Sequence, residues 1–105
     1  MSRDPILDPD EVAALDVLTD WRVVERSLVA TFRAGSFTAG GQLAAAIAAA
    51  ADAADHHPDV DLRYPGLVHV LLTTHDSGGL TRRDVEVARR VSDLAAIAGA
   101  IAVQP

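Results

Sequence analysis

Strand-like runs occur in adjacent pairs in this chain, and that arrangement limits the available folds more than any other feature. Trp21-Arg-Val-Val-Glu-Arg26 is followed almost at once by Leu28-Val-Ala-Thr-Phe-Arg33. Val60-Asp-Leu-Arg-Tyr64 is separated from Leu67-Val-His-Val-Leu-Leu-Thr73 only by the turn signal Pro65-Gly66. Parallel neighbours need a crossover of a dozen or more residues, so such short connections leave antiparallel pairing. In the second run Leu28, Ala30 and Phe32 fall on one face and Val29, Thr31 and Arg33 on the other. That period of two marks a strand with one face turned to a core.

Helical segments flank and separate the pairs. Asp8-Pro9-Asp10-Glu11 offers an N-cap aspartate, a proline at the first helical position and two acids in the first turn. It predicts a short helix over about Pro9 to Asp16. Ser36 caps a long helix, Phe37 to Asp55, whose apolar stripe is Leu43, Ile47 and Ala51. Gly40 and Gly41 each cost this helix about 1 kcal/mol relative to alanine, so it is expected to approach another element closely there. Pro58 ends it. Thr81-Arg-Arg-Asp84 is a capping box with aspartate in the fourth place, opening a last helix. That helix turns Val85, Val87, Ala88, Val91, Leu94, Ala95 and Ala98 toward the core. The order α-β-β-α-β-β-α predicts an α+β fold: a four-stranded antiparallel sheet with three helices packed on one face. One domain over residues 1–105 is expected, with residues 1–8 as a flexible N-terminal segment.

Composition narrows the chemistry. The formal net charge of −6 opposes nucleic acid or an anionic membrane as the main partner. All nine basic residues are arginine, so there is no lysine for a Schiff base or a phosphate loop. There is no cysteine, hence no thiolate nucleophile, disulfide or cysteine-bound metal. The N-terminus has no signal pattern and no apolar stretch is long enough to span a bilayer, so a cytoplasmic location is expected. The core is thin because much of the hydrophobic half is alanine, which favours self-association.

Three of the four histidines stand at chain breaks: His56 and His57 before Pro58, and His75 between Thr74 and Asp76. Imidazole is suited to moving protons near neutral pH, and it is also a metal ligand. Asp52 is four residues before His56, so the two share a helical face and the carboxylate is placed to orient the imidazole. Asp84, in the first turn of the last helix, is positioned to point back at the His75 loop. Each residue also has a plainer reading. His-His-Pro alone ends a helix, His75 alone sits on a surface, and Thr81 and Asp84 alone form a cap. His69 is read as structural, Asp59 and Asp61 as solvated strand charges, and Arg82-Arg83 and Arg89-Arg90 as a solvated helix face.

The joint pattern is more specific. Asp52-x-x-x-His56-His57-Pro58, then Tyr64, then Thr73-Thr74-His75-Asp76-x-Gly-Gly79-Leu80-Thr81-x-x-Asp84 resembles the pterin-4a-carbinolamine dehydratases. Trp21, Phe32 and Phe37 match the family's layout upstream, and the resemblance runs from about Leu15 to the C-terminus. It implies conversion of 4a-hydroxytetrahydrobiopterin to quinonoid dihydropterin and water in tetrahydrobiopterin recycling. It implies His56, His57 and His75 as the catalytic trio, with His56 and His75 as the acid–base pair and Asp52 and Asp84 in support. His56, His57, Pro58, Thr74, His75, Asp76 and Ser77 would line the pterin pocket. No cofactor and no metal are implied. The expected partners are the pterin substrate, copies of the chain in a homodimer or homotetramer, and a functional link to an aromatic amino acid hydroxylase. The chain departs from the family where Asp52-Ala53 replaces a common Glu-Lys, and where Val60 and Leu62 replace an aromatic cluster. Two other readings stand beside the enzyme: a non-catalytic binding or assembly module on the same scaffold, and a metal site built from His56, His57 and His75.

Overall fold

The structure is a computed structural model that describes residues 4–103. Its elements follow the expected alternation with two additions, a 3-10 turn after the first helix and a short last strand. They are α1 (Pro9–Ala13), a 3-10 turn (Asp16–Leu18), β1 (Arg22–Val24), β2 (Ser27–Arg33), α2 (Phe37–Ala54), β3 (Asp59–Arg63), β4 (Leu67–Leu72), α3 (Arg82–Ile97) and β5 (Ile101–Ala102).

All pairings are antiparallel, and the sheet order is β1-β2-β4-β3. β2 lies at the centre and pairs with β4 from Leu28↔Leu72 to Arg33↔Leu67. The sheet has five strands rather than the four expected. After α3 the chain reverses at Gly99, whose φ of 72° is open to glycine. It then returns to lay Ile101 and Ala102 against Arg33 and Phe32. A two-residue strand carries no alternation of its own, so periodicity could not reveal it. The same reversal corrects Ala98, which caps α3 and is exposed rather than packed on the core.

The first helix is also shorter than predicted. It stops at Ala13 with Ala14 as its cap, and Asp16, the last residue of the expected span, opens the 3-10 turn that buries Leu18. The caps act as read. Asp10 N–H donates to Asp8 Oδ1 at 2.9 Å, and Ala39 N–H donates to Ser36 Oγ at 3.0 Å.

The core lies between one sheet face and the helices. Leu28, Ala30 and Phe32 of β2 and Val68, Val70 and Leu72 of β4 meet Leu43 and Ile47 of α2 and Val87, Ala88, Val91 and Ala95 of α3. Trp21 packs edge-on against Phe32 with ring centroids 6.2 Å apart, and its indole N–H donates to Ser92 Oγ at 2.9 Å. The opposite face carries Thr31 and His69, joined across β2 and β4 at 2.8 Å, in keeping with a structural His69.

The close approach expected of α2 is against the β3–β4 hairpin. A Cβ on Gly40 would stand 2.8 Å from Leu62 Cδ1 and 3.4 Å from Gly66 Cα. A Cβ on Gly66 would stand 2.5 Å from Ser36 O. Ala34 N–H donates to Gly66 O at 2.8 Å, locking the hairpin turn against the start of α2. This contact fixes how α2 lies on the sheet, and so where its C-terminal end delivers the histidines. Among the described residues, no helix is long and apolar enough to cross a membrane.

Candidate functional site

The site forms where the end of α2, the end of β4 and the start of α3 converge. α2 ends because Asp55 adopts a left-handed conformation, φ 50° and ψ 42°. Aspartate tolerates this region better than most residues. His56 N–H then closes back on Ala51 O at 3.2 Å, the return bond of a helix terminus that reverses direction. The reversal turns His56 inward and leaves His57 outside.

That reversal changes the partners expected for the acids. Asp52 does not orient His56, because the helical register linking residues four apart is broken at Asp55. Asp52 instead meets His57, with Oδ1 2.9 Å from Nε2, and both side chains are more than half exposed. His56 reaches across to α3, where its Nε2–H donates to Asp84 Oδ1 at 2.6 Å. This pair is buried: Asp84 has no exposed surface and His56 is 8% exposed.

Asp84 is the hub of the site. Its Oδ2 accepts from Thr74 Oγ1 at 2.7 Å and from Thr81 N at 2.9 Å. Thr81 Oγ1 lies 2.9 Å from Thr74 Oγ1. Proton placement follows by elimination. A carboxylate only accepts, so Thr74 spends its single hydroxyl hydrogen on Asp84, and Thr81 therefore donates to Thr74. By the same rule His56 carries its hydrogen on Nε2. A buried carboxylate is tolerated when its lone pairs are met, and no buried side-chain polar atom among the described residues lacks a partner. The Thr81 N–H bond is also half of the capping box of α3, so one carboxylate both starts the helix and holds the imidazole. The positive end of the α3 dipole favours its charge.

With Nε2 committed, Nδ1 is the His56 nitrogen left for chemistry. It has no partner among the described residues and is not cut off from solvent. His56 is one of the residues lining a cleft of about 220 Å³, with Asp55, His57, Thr73, Thr74, His75, Asp76 and Arg83. The structure thus brings together His56, His57, His75, Thr74 and Asp76 on one wall. His75 and Asp76 are exposed on its rim. Pro58 and Ser77 are not on that wall; the Ser77 hydroxyl donates to Asp4 O at 2.8 Å.

Arg83 departs from its reading as a solvated helix charge. It lines the cleft, and its Nη2 donates to Asp55 O beside His56. Local sequence offered one signal: Arg83 occupies the same first helical turn as Asp84. Asp55 and Thr73 were likewise not singled out, although a short polar residue just before a helix break is a candidate for left-handed geometry. No group of three or more His, Asp or Glu with metal-holding geometry occurs among the described residues.

Comparison with known proteins places the chain among relatives. The family model for pterin 4 alpha carbinolamine dehydratase matches residues 5–94. A protein of Chloroflexus aurantiacus named "Putative pterin-4-alpha-carbinolamine dehydratase" is 40% identical over 91 residues, 86% of this chain and 97% of its own length. A protein of Nocardia farcinica with the same name is 39% identical over 95 residues, covering 90% and 99%. The crystal structure of a transcriptional coactivator/pterin dehydratase from Brucella melitensis matches with a TM-score of 0.79 and 30% identity, covering 87% of this chain and 99% of that one. The chain belongs to the pterin 4 alpha carbinolamine dehydratase family.

Proposed function

We propose that the protein is a hydro-lyase that converts a 4a-hydroxytetrahydropterin, such as 4a-hydroxytetrahydrobiopterin, to the quinonoid dihydropterin and water. The observation that carries this reading is the Asp84–His56 pair. It holds one imidazole in a single tautomer and leaves Nδ1 without a partner among the described residues, on a histidine that lines a cleft together with His57 and His75.

The reaction breaks the C4a–O bond and forms the C4a=N5 double bond. The hydroxyl leaves as water after gaining a proton, and N5–H gives one up, so protons balance and no electron is transferred. His56 Nδ1 takes the N5 proton. The resulting imidazolium is stabilised by the Asp84 carboxylate, whose bonds to Thr74 and Thr81 are already in place. His75, exposed on the rim, donates to the departing hydroxyl and is reprotonated from solvent. His57, held by Asp52, contributes to binding. Thr74, Asp76 and Arg83 border the same cleft and orient the pterin. Each step uses side chains of this chain alone.

By its substrate the protein works beside an aromatic amino acid hydroxylase, in the cytoplasm, in tetrahydrobiopterin recycling. Self-association into a dimer or tetramer is consistent with exposed Ile97 and Ile101, 80% and 70% accessible. The test is the rate at which a chemically generated 4a-hydroxytetrahydropterin decays with and without the purified protein. Acceleration that is lost in His56→Ala and His75→Ala supports the reading. A decay rate unchanged by wild type refutes it.

A second reading is a binding module on the same scaffold, favoured by the double name of the Brucella melitensis relative. It predicts that partner capture survives His56→Ala and that wild type does not accelerate the dehydration.

A further inference from the structure

Asp4 to Leu7 belong to no helix or strand, yet they lie along the segment that carries His75. Ser77 Oγ donates to Asp4 O at 2.8 Å, and Leu7 N–H donates to Leu80 O at 2.8 Å. The bonded residues are three apart on both segments, so the two run side by side. Between these bonds Ile6 covers Gly79, where a Cβ would stand 3.3 Å from Ile6 Cγ2. Leu7 packs against the core cluster and anchors the segment to the body of the domain. The Asp4 carboxylate lies 3.8 Å from both Arg82 Nη2 and Arg83 Nε. Arg83 in turn holds Asp55 O, beside His56.

The His75 loop depends on such support. Its internal bonds shape the turn: Ser77 N–H and Gly78 N–H donate to Thr74 O at 3.2 and 3.0 Å, and Thr74 N–H donates to Gly79 O at 3.1 Å. They do not tie its outer side to the domain. The imidazole of His75 has no hydrogen-bond partner among the described residues, in contrast to His56 and His57. Its position is therefore that of the loop backbone, and the outer side of the loop is held through Ser77 and Leu80.

We infer that Asp4–Leu7 is a strap that fixes the Thr74–Leu80 loop and thereby sets where His75 stands relative to His56. Ser77 and Asp4 are then positioning residues: they act on the reaction through His75 and do not touch the substrate. The kinetic consequence rests on the dehydratase reading, whereas the structural one does not.

Ser77→Ala removes the hydroxyl that reaches Asp4 O, and Ser77→Thr retains one. Amide hydrogen exchange at Ser77 and Gly78 reports the loop directly, and carbinolamine dehydration reports its effect on turnover. In Ser77→Ala the two amides exchange about fivefold faster, roughly the factor one hydrogen bond is worth. Its kcat falls by a similar factor with KM unchanged, and Ser77→Thr restores both readouts. Exchange within twofold of wild type in Ser77→Ala overturns the strap. So does a raised KM at constant kcat, which would place the Ser77 hydroxyl on the substrate. If wild type shows no turnover, the dehydratase reading falls and the exchange rates alone decide the strap.

Discussion

His56 Nε2 and Asp84 Oδ1 are 2.6 Å apart although 28 residues separate them in the chain. The contact joins the end of α2 to the start of α3 and is buried on both sides. It holds the tautomer of the imidazole, completes the lone pairs of a buried carboxylate and shares that carboxylate with the cap of α3.

Asp84→Asn tests the tautomer. The amide retains the shape but offers a donor where His56 now finds an acceptor. Loss of a carboxylate that fixes a catalytic imidazole costs about 10²-fold or more in kcat. The variant is also less stable by about 1–3 kcal/mol, because His56 loses its acceptor and the neutral amide oxygen left to Thr74 and Thr81 is a weaker acceptor than the carboxylate. Steady-state kinetics and a urea melt on the same preparation separate the two effects.

Asp52→Asn tests the correction to the helix-end pairing. Its partner His57 and Asp52 itself are 57% and 78% exposed as side chains, so the pair is screened by solvent. Stability changes by less than about 0.5 kcal/mol. If the carboxylate instead oriented His56, the variant would lose activity on the scale of Asp84→Asn. Comparing the kcat values of the two variants distinguishes these outcomes.

Gly66→Ala tests the packing of α2 on the hairpin. The new methyl would lie 2.5 Å from Ser36 O, a backbone atom without freedom to withdraw. Overpacking of this kind costs about 1–3 kcal/mol. For a domain of this size each kcal/mol lowers Tm by about 4–8 °C. Thermal denaturation followed by circular dichroism measures it. An unchanged Tm would mean that α2 does not rest on the hairpin in this way.

Arg83→Ala tests the residue that local pattern assigned to solvent. Its guanidinium joins Asp55 O to the cleft wall. Removing it raises KM several-fold, whereas substitution of Arg89, exposed further along α3, leaves KM unchanged. Substrate titrations of the two variants check the contrast.

Much of this architecture was legible in local sequence. The alternation of Leu28, Ala30 and Phe32, the Asp8 and Ser36 caps and the Thr81–Asp84 capping box rest on neighbouring residues, and each took the expected form. The glycines of α2 announced a close approach but not its partner, because Leu62 and Gly66 are brought there by the sheet. β5 was missed because two residues show no period and a central strand recruits them. The pairing of Asp52 with His56 failed for a single reason. Helical spacing predicts it, and one left-handed residue, Asp55, redirects the chain. The histidines themselves were recognisable at the chain breaks, while their carboxylate partners depended on tertiary geometry.

The most direct measurement is the decay of 4a-hydroxytetrahydropterin in the presence of wild type, His56→Ala and His75→Ala. The account predicts clear acceleration by wild type and a loss of about 10²-fold or more in each variant, the usual contribution of a positioned acid or base. Full activity in His56→Ala, or no acceleration by wild type, would contradict it.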